Sequence, residues 1–162
     1  MRRPGLARLV GVAERMAGDT LAIALRSGAG YGAIALLGSA ATAWLSPWMV
    51  PGGRLFGVVV FTLASAGLGI VYARHYGRPG AVTWIPWRVG GVAALVTVFV
   101  WGYGHAWLLE PGGSRISILS PLAGLLRGVR FTGALLLSAA PVLVPGWWIV
   151  HRGLSREAAR PR

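Results

Sequence analysis

The chain has 162 residues, of which 55% are hydrophobic and only 12% charged, about half the charge of an ordinary soluble domain. Its net charge is +12, carried by sixteen arginines and no lysine, and it contains no cysteine. Too little polar surface is left for a domain soluble on its own, and the lack of thiols excludes disulfides, iron–sulfur clusters and thiolate zinc sites.

The apolar residues fall in blocks of about twenty, the length that crosses a bilayer as helix. The arginines lie at the edges of those blocks. A nucleic-acid partner would need a basic face with groove-entering or base-stacking elements, so anionic lipid headgroups are the simpler counterpart and no nucleic acid is expected. The absence of lysine, with many Ala, Gly, Val and Pro residues, points to a GC-rich prokaryotic genome and hence to the cytoplasmic (inner) membrane.

Residues 1–30 form a basic N-terminal segment. Arg2 and Arg3 resemble the charged start of an export signal, but Arg8, Glu14, Arg15 and Asp19 interrupt any apolar core, so the segment is expected to be retained. Within it Leu6, Leu9, Val10, Ala13 and Ala17 recur at helical spacing. They describe either an interfacial amphipathic helix or a frayed basic leader.

Four transmembrane spans follow, at about 31–50, 55–73, 89–109 and 131–150. Pro51-Gly52-Gly53 turns the chain after the first, Arg74 to Gly80 make a polar connection after the second, and Glu110 to Gly113 end the third. Residues 114–130 read as a second interfacial amphipathic helix, capped near Ser120-Pro121. Arg115, Arg127 and Arg130 oppose a full crossing there, because each arginine at the bilayer centre costs roughly 2.5–3.5 kcal/mol. Residues 151–162 form a basic tail. The expected fold is thus an all-α polytopic helical bundle.

With both termini inside, twelve arginines face the cytoplasm, and Arg54, Arg115, Arg127 and Arg130 face out, a clear positive-inside bias. Trp44, Trp48, Trp101 and Trp107 fall at outer span ends and Trp84, Trp87, Trp147 and Trp148 at inner ends. All eight are therefore expected to be interfacial anchors. Small residues repeat every four positions in each span: Ala35, Ser39 and Ala43; Ser65 and Gly69; Gly90 and Ala94; Ala134 and Ser138. Such rows allow close helix packing within one bundle, or a docking face for another subunit.

No catalytic residue, metal site or cofactor is expected. The four acidic residues, Glu14, Asp19, Glu110 and Glu157, all lie outside the spans, so no intramembrane carboxylate is available for proton or cation coupling or for acid–base work. Val100-Trp101-Gly102-Tyr103-Gly104 has the letters of a potassium-filter tail but continues an apolar span. The candidates for ligand or partner contact are His105, in the third span, and Pro141 and Pro145, one turn apart in the fourth. Each proline removes a backbone donor and pushes on the preceding turn, so the last span is expected to kink or break near 137–144.

Three functions fit this pattern. The first is a non-enzymatic subunit or accessory protein of a larger inner-membrane assembly of transport, secretion or conjugation type, partnered by other membrane subunits or by itself. The second is a small homo-oligomeric channel or carrier, for which Thr42, Ser46, Thr62, Ser65, Thr97 and Ser138 supply hydroxyls. The third is a haem-binding redox protein using His75 and His151, against which the flanking arginines place both histidines beside lipid phosphate. The topology is open to a direct test. Reporters fused after Arg78 and at the C-terminus should read cytoplasmic, and one near Gly113 external; an internal signal at Gly113 would overturn the four-span arrangement.

Overall fold

Among the described residues, each of the four α-helices has a proline at its first or second position. The computed structural model describes residues 4–45, 51–76, 84–109 and 120–159, with side chains described for 18–42, 44, 55–76, 84–104 and 122–159. Helix α1 (Pro4–Leu45) and α2 (Pro51–Tyr72) have proline as first residue, and α3 (Ile85–Leu109) and α4 (Ser120–Ala158) as second. In the first turn the missing N–H has no intrahelical partner to lose, and the fixed φ already suits the helix. A short 3-10 turn, Ala73–His75, extends α2.

All four helices are long and apolar enough to cross a membrane, over Gly18–Thr42, Leu55–His75, Ile85–Gly104 and Leu122–Ala158. The second runs Leu55–His75 where the sequence predicts 55–73, and the third Ile85–Gly104 where it predicts 89–109. The other two differ further from the sequence expectation. Residues 4–45 are one uninterrupted helix, so the N-terminal interfacial segment and the first span are continuous. The described part of the second interfacial segment, from Ser120, likewise runs straight into the fourth span. Residues 114–119 lie outside the described residues. Helix α4 is not broken at Pro141 or Pro145, both of which sit inside it. Their outward-facing positions let the helix accommodate each ring on its unpacked side.

The helices form a four-membered ring: α1 lies beside α2 and α4, and α3 also lies beside α2 and α4. Contacts run in opposite chain directions at each interface. Gly28 meets Ile70 while Gly32 meets Ala66, and Gly30 meets Val150 while Gly146 meets Ile34. This is an up-down-up-down bundle. Leu37, Leu63, Leu95 and Leu137, one from each helix, point outward. Ser27, Ser39, Ser65, Thr97 and Thr132 point inward, the reverse of a soluble bundle.

Two kinds of joint hold the ring together. Within the pairs α1/α2 and α3/α4, backbone meets backbone at some glycines, while Gly90 of α3 meets the Trp147 indole of α4. A Cβ on Gly69 would lie 2.9 Å from the Ser27 carbonyl oxygen, and one on Gly102 or Gly128 would collide with the backbone of Gly124 or Val98. Between the pairs, the described glycines meet side chains instead: Gly30 faces Val150, Gly38 faces Leu143, and Gly57 leaves room for Phe131. Lipid gives apolar helices no hydrophobic reason to associate, so such close approach supplies the packing energy.

Of the small-residue rows, Ala35, Ser39, Ser65, Gly69 and Gly90 face inward, whereas Ser138 is exposed. The Ala43 side chain lies outside the described residues. Exchanging Gly128 for Ala should destabilise the bundle by about 1–3 kcal/mol through overpacking. Gly133→Ala, with open space around it, should be neutral or stabilising by up to about 1 kcal/mol. Unfolding in mixed detergent micelles, followed by circular dichroism, measures both.

Candidate functional site

At the end of the bundle carrying Arg26, Arg74, Arg88 and Arg152, the interior holds an aromatic and polar cluster. Ser27 of α1 donates its hydroxyl to the Gly69 carbonyl of α2 at 2.8 Å, possible because Gly69 has no side chain in the way. The Tyr76 hydroxyl, just past α2, lies 3.1 Å from the Tyr31 hydroxyl and 3.4 Å from His151 Nδ1. One phenol thereby links α1, the α2 end and α4. Burial pushes the Tyr76 phenol above its ordinary range, so it stays protonated and can donate as well as accept.

Trp147 stands at the centre. It is 7% exposed, its ring lies 6.1 Å from Tyr31 and 6.2 Å from Phe61, and its Nε1 donates to the Tyr31 carbonyl at 3.4 Å. On its fourth side it occupies the space left by Gly90. The expectation of an interfacial anchor at Trp147 is therefore corrected: it is a core residue. Trp44 and Trp87 do face outward, Trp84, Trp101 and Trp148 are half-buried, and the side chains of Trp48 and Trp107 lie outside the described residues. The Trp147-Trp148 doublet carried the signal. Neighbours on a helix point about 100° apart, so the two indoles cannot share one environment.

His151 also departs from expectation. It is fully buried rather than beside lipid phosphate, with its ring 5.4 Å from Tyr76 and 5.8 Å from Trp148. The His75 ring packs edge-on against Trp84 at 5.4 Å. Among the described residues no cluster of His, Asp and Glu could hold a metal ion.

A lateral groove of about 280 Å³ opens between α3 and α4. At one end these helices touch through Gly102, Gly124 and Gly128; at the other the Trp147 indole intervenes at Gly90. The groove is the resulting gap. Trp87 and Gly91 line one wall, and Leu136, Ala140, Val144 and Trp148 the other. One turn past Trp148 on α4, the exposed Arg152 guanidinium lies 5.9 Å from the Trp148 ring centroid. The Arg88 guanidinium lies 4.4 Å over Trp84, whose ring packs edge-on against Tyr72 and His75 at the end of α2.

The candidates read from the sequence do not converge on this region. Position 105 belongs to α3 one turn past Gly102, whose neighbours are Gly124 and Gly128; that is the far end of α4 from Pro141 and Pro145. The side chain of His105 lies outside the described residues. Pro141 and Pro145 face outward on α4. Residues 100–104 are helical, so they do not form a filter loop. Several described hydroxyls turn back on their own helix: Ser39 to Ala35, Thr42 to Gly38, Thr97 to Ala93 and Ser138 to Ala134, at 2.6–2.9 Å, whereas those of Thr62, Ser65 and Thr132 are buried with no hydrogen-bond partner.

No protein-family model, curated protein or solved structure matches this chain. Truncating Trp147 to Ala should destabilise the bundle by about 3–5 kcal/mol, the range for a large aromatic removed from a core. Tyr76→Phe, which strips a partner from both Tyr31 and His151, should cost about 1–3 kcal/mol. The same unfolding assay reads both, and a Trp147→Ala loss below that of Tyr76→Phe would show that the indole does not organise the core.

Proposed function

We propose that this chain is a non-enzymatic integral membrane subunit or accessory protein of a larger inner-membrane assembly of transport, secretion or conjugation type. The observation that carries this reading is the filled interior. Tyr31, Phe61, Phe131, Leu135, Leu143 and Trp147 pack into one buried cluster along the bundle axis, where a single-chain carrier would need a lumen or a solvated site. The outward surface, by contrast, retains features available to partners. Gly67, Gly91 and Gly133 face open space, so their lack of a side chain is not used up by packing inside the chain.

In this reading the termini lie in the cytoplasm, and the arginine-rich end of the bundle meets the anionic inner leaflet. From Arg130 to Arg152 along α4 is about 33 Å of helix, close to the roughly 30 Å hydrocarbon core. The channel alternative then requires its lumen to lie between copies rather than within one. The haem alternative loses support, because the His151 ring is enclosed by Tyr76 and Trp148.

Purification of the protein expressed alone, with measurement of its size and of solute flux in liposomes, separates the readings. The subunit reading expects a protein that conducts nothing and gains stability when co-expressed with its genomic neighbours. A monodisperse homo-oligomer with flux would overturn it in favour of the channel.

A further inference from the structure

Two prolines take hydrogen-bond donors away from the outward face of α4. Proline has no N–H. Pro141 therefore leaves the Leu137 carbonyl, and Pro145 the Pro141 carbonyl, without the bond that a helix supplies from four residues on. Both prolines lie inside α4 and both are exposed, as is Leu137 at 82%. Pro141 stands eleven residues from Arg130 and eleven from Arg152, about 16 Å from either. In a chain that spans a membrane, both carbonyls then face hydrocarbon near its mid-plane, where neither water nor an acyl chain can donate to them. The hydroxyl beside them, on Ser138, does not serve them, because it donates to the Ala134 carbonyl at 2.8 Å.

That hydroxyl can change acceptor without creating an orphan, since the Ala134 carbonyl also receives the Ser138 backbone N–H as an ordinary helical bond. Its placement on the helix decides which acceptor it can reach. Phe131, Leu135, Ala139, Leu143 and Trp147 form the buried side of α4, and Pro141 points away from it. Leu137 falls about 40° to one side of Pro141 and Ser138 about 60° to the other. A two-fold axis along the membrane normal, passing beside Pro141, sets the Ser138 side of one copy against the Leu137 side of the next. The two residues are adjacent in the chain, so donor and acceptor meet at nearly the same depth.

We propose that two copies of this chain associate through the Pro141 face of α4, the Ser138 hydroxyl of each donating to the Leu137 carbonyl of the other. Self-complementarity selects a second copy as the occupant: donor and acceptor stand on one patch, as a two-fold contact requires. Ala134 and Ser138 are small enough for the two helices to approach closely. The contact rests on the reading that the chain spans a membrane, and it gives the partner of that reading a face, a depth and a hydrogen bond.

Energy transfer between full-length chains labelled at the C-terminus, reconstituted in phosphatidylcholine and phosphatidylglycerol vesicles and diluted with lipid, tests the contact. The wild type should follow a monomer–dimer equilibrium. Ser138→Ala removes both symmetry-related donors and should weaken the dimer about eightfold, as expected of two ordinary hydrogen bonds between membrane helices. Pro141→Ala restores an N–H to the Leu137 carbonyl. It should weaken the dimer by a similar factor while leaving the helix itself more stable. The double variant should lose little more than either single one, because both changes remove the same bond. Leu63→Ala, on the exposed face of α2, is the control and should behave as wild type.

A wild type that stays monomeric at every dilution would overturn the proposal and leave the face to a different subunit. So would undiminished dimerisation of Ser138→Ala or of Pro141→Ala, or losses that add in the double variant. Release of the chain from cell membranes by an alkaline wash would sink the membrane reading itself, whereas a membrane-retained monomer would sink only the dimer. A dimer that conducts solute would uphold the contact and overturn the subunit reading instead.

Discussion

The Trp147 ring touches Tyr31 of α1, Phe61 of α2 and the Gly90 gap of α3, so one side chain of α4 sets its spacing from the other three helices. Because an indole is wider than a glycine contact, α3 and α4 stand apart where it intervenes and close up where Gly102 meets Gly124. The lateral groove is a direct geometric product of that difference. The placement of Tyr31 follows too, since its carbonyl accepts from the indole and its hydroxyl reaches Tyr76. Core packing and outer shape thus have a single origin.

The interior hydroxyls have a related logic. A buried polar group without a partner is costly, and inside a membrane water cannot supply one. Ser39, Thr42 and Thr97 answer this by bonding the carbonyl one turn earlier on their own helix. A hydroxyl handled in this way acts sterically as a small side chain, and it permits close packing without committing the helix to a polar pathway. Ser27 differs because its hydroxyl crosses to the Gly69 carbonyl. It fastens α1 to α2 at the same end where Tyr76 and His151 fasten α2 to α4.

Much of this arrangement was legible in the residues. The middle spans could be located because their apolar stretches have the length of a bilayer and arginines stand near their ends, although the spans of the structure take in Arg74 and Arg88. The first and fourth helices were harder. Charges at Arg8, Glu14 and Arg15 signal where apolar character stops, but helical backbone tolerates arginine and glutamate well, so α1 continues through them. Pro141 and Pro145 signal a break only if both faces of α4 are packed, and the sequence does not show which face is free. The site was hidden for a different reason. Residues such as Trp147 and His151 are chemically suited to an interface, and only the neighbours that the fold brings to them, Gly90 and Tyr76, make the interior the better place. The adjacent pairs Gly90-Gly91 and Trp147-Trp148 held the available clue, since neighbours on a helix point about 100° apart and the first member of each pair is the more buried one.

The contrast between the two kinds of joint has a mechanical consequence. Backbone pressed against backbone, as at Gly28 with Ala66 and Gly128 with Val98, can move only if the helices separate. Side chains pressed into helix surfaces can change rotamer and let one helix slide on another. The closest backbone approaches thus join α1 to α2 and the Gly102 end of α3 to α4, while the contacts between these pairs run through side chains. A shift of one pair on the other would have to move the packed rings of Tyr31, Phe61 and Trp147 past one another.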